Sequence, residues 1–163
     1  MKFKLYKELS NVDYEWLEYI YETLGERAER WKKKPKYRKQ IETELGADLF
    51  YSSSTVLFRG GISEEAKRLM NENGGRIKTK KARLIVNDHE YNRRKTARII
   101  LQMYIDGKNI TWKRFLILCV RKYLVMNTIS KYEHGILTQL QEIHEDLTPK
   151  EQYKMANIEL IKT

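Results

Sequence analysis

The spacing of apolar residues predicts that the N-terminal part of the chain is helical. Between residues 11 and 34 apolar side chains recur every three or four positions, as on the buried face of an amphipathic helix: Val12, Trp16, Leu17, Ile20, Tyr21, Leu24, Ala28 and Trp31. Pro35 ends this helix, because proline cannot continue the helical hydrogen bonding. A shorter helix is predicted over 37–45, with Gly46 as its C-terminal stop.

The pattern changes near residue 49, where aromatic and β-branched residues indicate short strands. The runs 49–51 and 55–58 predict a first strand within 49–58, and the segment 76–86 predicts a second. The glycine pair Gly60-Gly61 is predicted to turn the chain after the first strand, and a short helix over 63–70 follows the turn.

Beyond Asp88 the pattern predicts helix to the end of the chain. Four helices are expected, and their N-terminal caps are Asp88 or Asn92, Asn109 or Thr111, Ser130, and Thr148. The second of them is predicted to run to about Met126. The last two begin with capping boxes, in which a hydroxyl side chain is followed three residues later by glutamate.

These elements predict a single globular domain over 1–163. It is expected to be helical over 11–45, to contain a small β insert over 49–86, and to be helical again over 89–161. The expected fold class is α+β, predominantly α-helical, with a small antiparallel β-sheet of two or three strands inserted between helices. A chain of 163 residues is long enough to bury one core.

Composition excludes several classes of protein. The single cysteine, Cys119, lies in an apolar run, which rules out an internal disulfide or a multi-cysteine zinc site and indicates a buried thiol. No glycine-rich loop has the form of a nucleotide-phosphate site, so we expect no cofactor. No segment resembles a secretory signal or a membrane span. We therefore expect a cytoplasmic or nucleoid-associated protein that is not secreted and has no membrane partner.

The positive charge is concentrated in the middle of the chain. The net charge is +10, yet residues 31–126 hold 23 basic and 9 acidic residues, while residues 1–30 and 127–163 each carry a net −2. A field of one sign attracts polyanions. We therefore predict a nucleic-acid partner, DNA in preference to RNA, bound mainly through its phosphates. A small basic protein of this type would suit a virus or a mobile element.

The nucleic-acid contacts are predicted from three basic clusters. Along the chain they are Lys32, Lys33, Lys34, Lys36, Arg38 and Lys39; then Arg76, Lys78, Lys80 and Arg83; then Arg93, Arg94, Lys95 and Arg98. Two aromatic residues of the first cluster, Trp31 and Tyr37, can stack on exposed bases or sugars. Each cluster also has a local explanation: the dipole at a helix end, lysines that protect an edge strand, or neutralisation by Asp88 and Glu90.

Helices 92–105 and 111–126 invite a second interpretation, a helix-turn-helix. Thr111, Lys113 and Arg114 would then face the major groove of DNA. A recognition helix needs an exposed polar face, whereas the second helix is apolar on almost every side. We therefore favour a buried core helix.

The segment Asp88-His89-Glu90 is the one constellation that resembles a catalytic site. A metal-dependent nuclease would use His89 as general base for water and Asp88 or Glu90 as a metal ligand. The other histidines, His134 and His144, lack the spacing of a helical metal pair. We therefore favour a capping aspartate beside a solvated histidine, with no catalytic residue and no metal ion.

Three further alternatives remain open from the sequence. Glu42, Glu44 and Asp48 can hold a divalent metal, although exposed acids near a helix end are common. The C-terminal helices either pack on the protein's own core or form a homodimer. The chain can also be a protein-interaction module, for example an inhibitor of a nucleic-acid-handling partner.

Overall fold

The computed structural model describes residues 14–51, 58–74, 84–108 and 110–162. They divide into two compact units. Unit 1 takes its described residues from the chain before residue 58 and from 91 to 125, and unit 2 takes them from 58 to 90 and from 126 onwards. Each unit is therefore built from two separate stretches of chain.

The described residues form seven α-helices and four strands. The helices are α1 Tyr14–Lys33, α2 Arg38–Tyr51, α3 Glu64–Glu72, α4 Arg93–Ile105, α5 Trp112–Leu118, α6 Lys131–Ile143 and α7 Pro149–Met155. The strands are β1 Phe58–Ser63, β2 Ile85–His89, β3 Met126–Ser130 and β4 Leu160–Lys162. A 3-10 turn, Pro35–Tyr37, joins α1 to α2, and a π-helical turn, Cys119–Tyr123, follows α5. No helix in this part of the chain is long and apolar enough to cross a membrane.

Unit 1 is a helical unit whose core lies between α1, α2, α4 and α5. The predicted apolar face of the first helix is its buried face, since Leu17, Ile20 and Leu24 are fully buried. Cys119 is also fully buried, as predicted, and burial raises the pKa of its thiol. That thiol therefore acts as a small hydrophobic group.

Helix α2 contradicts the predicted stop at Gly46 and the predicted strand over 49–51. The helix continues through the glycine to Tyr51. A Cβ at Gly46 would lie 2.8 Å from the backbone oxygen of Arg93, so this glycine allows α2 and α4 to approach closely. Leu49 is buried in the core of unit 1, so tertiary packing overrides the strand propensity of this segment.

Unit 2 contains a four-stranded sheet with the order β2-β3-β1-β4. Strand β3 pairs antiparallel with β2 and parallel with β1, which in turn pairs antiparallel with β4. The predominantly helical α+β class is confirmed, but the prediction of two or three antiparallel strands is wrong. The sequence pattern predicts helix where β3 and β4 lie. These strands were missed because the strands that pair with them are distant in the chain.

The glycine pair Gly60-Gly61 lies inside β1, so the predicted turn there is wrong. A Cβ at Gly60 would overlap the Asn127 side-chain oxygen and the Met126 backbone oxygen. At Gly61 a Cβ would come within 2.8 Å of the Ile161 backbone oxygen. These glycines therefore permit close approach of the neighbouring strands, which is a known use of glycine within sheets.

The predicted helix caps are largely confirmed. Asn92 and Thr111, each predicted as one of two candidates, accept a hydrogen bond from the first turn of the helix that follows, and Ser63 does the same at the start of α3. Ser130 and Thr148 form the two predicted capping boxes. Such caps can be predicted because the interaction is local in sequence.

The ends of two predicted elements need correction. Strand β2 continues through His89, so Asp88 and His89 lie within a strand and the cap of α4 is Asn92. The helix predicted to run to Met126 ends as α5 at Leu118 and is followed by the π-helical turn and then β3.

Candidate nucleic-acid interface

The first basic cluster surrounds the junction between α1 and α2. Its six cationic residues are all exposed: Lys32, Lys33, Lys34, Lys36, Arg38 and Lys39. The Lys33 ammonium lies 2.8 Å from the Glu29 carboxylate one helical turn earlier, an exposed pair that contributes little to stability. The remaining lysines extend the basic character across the 3-10 turn and into α2.

Arg38 has a structural role at the end of α1. Its Nε donates to the backbone oxygen of Trp31 at 2.9 Å, and its guanidinium centre lies 4.7 Å from the Trp31 ring centroid. Carbonyl groups at a helix C-terminus lack intrahelical donors, so a cation that binds them stabilises the end of the helix. Arg38 therefore stabilises the end of α1, whereas the helix-end explanation drawn from the sequence concerned Lys32, Lys33 and Lys34.

The third basic cluster lies in the first turns of α4. The Asn92 side chain accepts hydrogen bonds from the backbone of Arg94 and Lys95, which caps the helix. The guanidinium of Arg93 lies 5.6 Å from the Phe50 ring centroid. Cations are electrostatically unfavourable at a helix N-terminus unless an acid or an external anion neutralises them.

The acid that partly neutralises this cluster is Glu42. Its carboxylate is 4% exposed and accepts hydrogen bonds from Trp31 Nε1 at 3.0 Å and from two nitrogens of Arg98 at 3.1 and 3.2 Å. Arg94 Nε lies 3.7 Å from the same carboxylate. The sequence marks Glu42 only as a candidate metal ligand. Nothing in the sequence marks a partner 56 residues away.

The first and third clusters meet at one cavity of about 470 Å³ in unit 1. Its lining includes five cationic residues, which we call the basic surface: Lys36, Arg38, Lys39, Arg94 and Arg98. Trp31, Pro35 and Glu42 complete the lining. The structure therefore brings together two clusters that the sequence presents as separate.

The second basic cluster cannot be placed. Its four residues, Arg76, Lys78, Lys80 and Arg83, lie outside the residues that the structure describes. Of the remaining predicted contacts, Lys32 and Lys34 are exposed and Lys95 is half-buried.

The helix that a helix-turn-helix would use for recognition packs one face into the core of unit 1. Helix α5 has seven residues, and Phe115 and Leu116 within it are buried. The Trp112 and Phe115 rings lie 5.5 and 5.6 Å from the ring of Tyr21 on α1. Helix α5 is therefore the core element that the sequence favoured.

In unit 2, Asp88 belongs to a buried hydrogen-bond network. Its carboxylate accepts from the Tyr153 hydroxyl at 2.9 Å and lies 3.1 Å from His134 Nδ1. The Asn127 side chain donates to the Tyr153 hydroxyl at 3.1 Å and accepts from the backbone of Gly61 at 2.9 Å. We call Asp88, Asn127, His134 and Tyr153 the Asp88 network. It connects β2, β3, α6 and α7.

Burial is the main cause of the raised pKa values of Asp88 and Tyr153 in this network. It raises the pKa of Asp88, and the hydrogen bond from Tyr153 and the charge of His134 offset only part of the rise. Burial and the negative charge of Asp88 raise the pKa of Tyr153, so its phenol keeps its proton. Burial also raises the pKa of Glu90. The network is therefore built around a carboxylate that is costly to ionise.

The histidine paired with Asp88 is His134 of α6, whose spacing from His144 does not indicate a site. The two residues are 46 positions apart, so no local motif could have revealed the pair. His89 lies at the end of β2, where it was proposed as a general base. In the described ranges, no group of three or more His, Cys, Asp or Glu side chains could hold a metal ion. Of the three acids predicted as alternative metal ligands, Asp48 forms an ion pair with Arg27, in which Oδ2 lies 2.6 Å from the arginine Nη1.

Comparisons with protein-family models, curated proteins and solved structures find no match to this chain.

Proposed function

We propose that this protein binds nucleic acid, DNA in preference to RNA, through its phosphates, and that the basic surface of unit 1 is the contact site. The observation that carries the proposal is the convergence of two basic clusters on one cavity. A concave site lined by cations focuses the electrostatic field and raises the local concentration of a polyanion.

The position of the basic surface at two helix ends strengthens its attraction for phosphate. Arg38 and Lys39 begin α2, and neither α2 nor α4 has an acidic residue in its first turn. A helix N-terminus carries a partial positive charge and favours anions. The dipoles of α2 and α4 therefore act in the same direction as the cationic side chains, whereas the C-terminus of α1, whose Trp31 carbonyl binds Arg38, opposes them.

The cations of the basic surface differ in the ion pairs and hydrogen bonds that they form with the rest of the protein. Arg98 and Arg94 pair with Glu42, and Arg38 binds the end of α1. Lys36 and Lys39 are exposed, and no ion pair involves them within the ranges that the structure describes. These two lysines are the best positions for a test, because replacing them leaves the contacts of the arginines in place.

The test is a binding titration with the double charge reversal Lys36→Glu/Lys39→Glu. Fluorescence anisotropy with labelled single- and double-stranded DNA and RNA measures the affinity. We expect the variant to bind at least about tenfold more weakly, because two phosphate contacts are lost and two repulsive charges are added.

The matched control is Lys67→Glu/Lys131→Glu, which changes two exposed lysines of unit 2 by the same charge. We expect a much smaller loss of affinity for this control, since only the overall field changes. Equal losses in the two variants would remove the basic surface as the contact site, and binding of no nucleic acid by the unaltered protein would end the proposal.

A further inference from the structure

Tyr37 presents an exposed aromatic ring within the first basic cluster. It ends the 3-10 turn Pro35–Tyr37, and 47% of its surface is exposed. Its backbone N–H donates to the Lys34 carbonyl at 3.0 Å, and Pro35 restricts the start of the turn. The ring is therefore carried by a well-defined segment of backbone.

The other aromatic residue of this cluster has a different environment. Trp31 is only 8% exposed, donates through its indole nitrogen to Glu42, and packs against the guanidinium of Arg38. It is one of the residues that line the cavity. Of the two rings that the sequence offered for stacking, Tyr37 is the one that an external group can reach.

Cations lie on both sides of Tyr37 in the chain. Lys36 Nζ is 5.8 Å from its ring centroid, and Arg38 and Lys39 follow directly. A ring beside phosphate-binding cations matches an unpaired base attached to a bound phosphate. A duplex offers only base edges in its grooves, so its bases cannot stack on such a ring.

Tyr37 adjoins the cavity, since its chain neighbours Lys36 and Arg38 both line it. The element that would enter a major groove, α5, has seven residues and contributes Phe115 and Leu116 to the core. The described part of unit 1 thus offers an exposed ring beside a cavity lined by cations.

We infer that the nucleic acid bound at the basic surface is single-stranded, with a base stacked on Tyr37. This inference rests on the proposed function and adds to it the strand form and the residue that contacts the base. The phosphates on either side of the stacked base are held by the lysines and arginines of the basic surface.

The test compares three tyrosine variants on an oligothymidylate and on a duplex of equal length. Tyr37→Leu removes the ring, Tyr37→Phe keeps it, and Tyr132→Leu removes the ring of a 78%-exposed tyrosine in unit 2. We expect Tyr37→Leu to bind the single strand about 5- to 100-fold more weakly, and the other two variants to bind like the unaltered protein. Thermal unfolding by circular dichroism verifies that all three variants fold.

Stacking on Tyr37 has a second signature, because it involves no phosphate. The dependence of affinity on salt should keep its slope in Tyr37→Leu, whereas Lys36→Glu/Lys39→Glu should flatten it. Equal single-strand affinity of Tyr37→Leu and Tyr132→Leu, or tighter binding of the duplex, would overturn the inference. The proposed function would survive that result if the lysine variant still lost affinity, and both would fail if the lysine variant bound normally.

Discussion

Glu42 in unit 1 is a buried carboxylate held by donors of its own unit, as Asp88 and Glu133 are in unit 2, but it lies in a cavity that is lined by five cationic side chains. Asp88 accepts from Tyr153 and lies against His134. Glu133 accepts from the Ser63 hydroxyl at 2.6 Å and from the Ser130 backbone at 2.7 Å. Positive charge is thus in excess at the cavity of unit 1, whereas the buried carboxylates Asp88 and Glu133 of unit 2 have partners within that unit.

The cost of burial explains this difference. A carboxylate that is removed from water must receive hydrogen bonds from the fold, so its partners are internal. Exposed lysine and arginine keep their hydration at little cost and can bind an external anion. We therefore expect salt-dependent binding from unit 1 and stability effects from the packing and titration of unit 2.

The close packing of β1 and β3 provides the largest expected effect. In Gly60→Ala the new Cβ would overlap Asn127, which holds Tyr153 in the Asp88 network. Since neither the strand nor the network can remain in place, we expect the free energy of unfolding to fall by about 3 kcal/mol. Urea denaturation followed by circular dichroism measures this change.

The same substitution in an open position is the control. At Gly135, in α6, an added Cβ meets no atom within 4 Å. Alanine is a better helix former than glycine by about 1 kcal/mol, so Gly135→Ala should unfold at the same or a higher urea concentration. Comparable destabilisation of the two variants would contradict the tight contact at Gly60.

The titration of Asp88 provides the next effect. Its pKa is raised in the folded state, so its contribution to stability is complete below its unfolded-state pKa and is lost as pH rises through the folded-state pKa. The Asp88→Asn variant lacks this titration. We expect the unfolding free energy of the unaltered protein to fall relative to that of the variant as pH rises from acid to neutral.

Urea denaturation at a series of pH values measures this difference. The pKa of Glu90 is also raised by burial, but Glu90 is present in both proteins and its effect largely cancels. A difference that stays constant with pH, or that grows in favour of the unaltered protein, would show that the Asp88 network does not titrate in this way.

The sequence predicted those parts of the fold that depend on local interactions. The caps at Ser130 and Thr148 involve residues three positions apart, and the apolar face of α1 follows from helical periodicity. Helix α2 beyond Gly46 and strand β3 were missed, because a distant helix and two distant strands determine them. Local propensity cannot supply such contacts.

The sequence predicted which residues belong to the candidate site, but not how they are arranged in space. The sequence identified Lys36, Lys39 and Arg98 as basic, yet it could not show that the 3-10 turn, α2 and α4 bring them to one cavity. It also named Asp88 without its partners His134 and Tyr153, the second of which is 65 residues away. The sequence shows which residues are charged, but it does not show which of them become neighbours in the fold.

The smallest effect concerns the single carboxylate at the basic surface. Glu42→Gln removes a negative charge and keeps an oxygen that can accept from Trp31 Nε1. Because Arg98 and Arg94 then lose their internal counter-charge, we expect nucleic-acid affinity to rise about two- to fivefold. The control is Glu44→Gln, an exposed acid of the same helix, which should raise affinity less. Weaker binding by the Glu42 variant would contradict the proposed site.

The central claim is that the basic surface of unit 1 neutralises phosphates. Its most direct test is the slope of log affinity against log salt for the unaltered protein, Lys36→Glu/Lys39→Glu and Lys67→Glu/Lys131→Glu. Each lost phosphate contact flattens the slope by about 0.7 for a single strand, so the first variant should lose about 1.4. The second variant should keep the original slope. Parallel lines for all three proteins would contradict the claim.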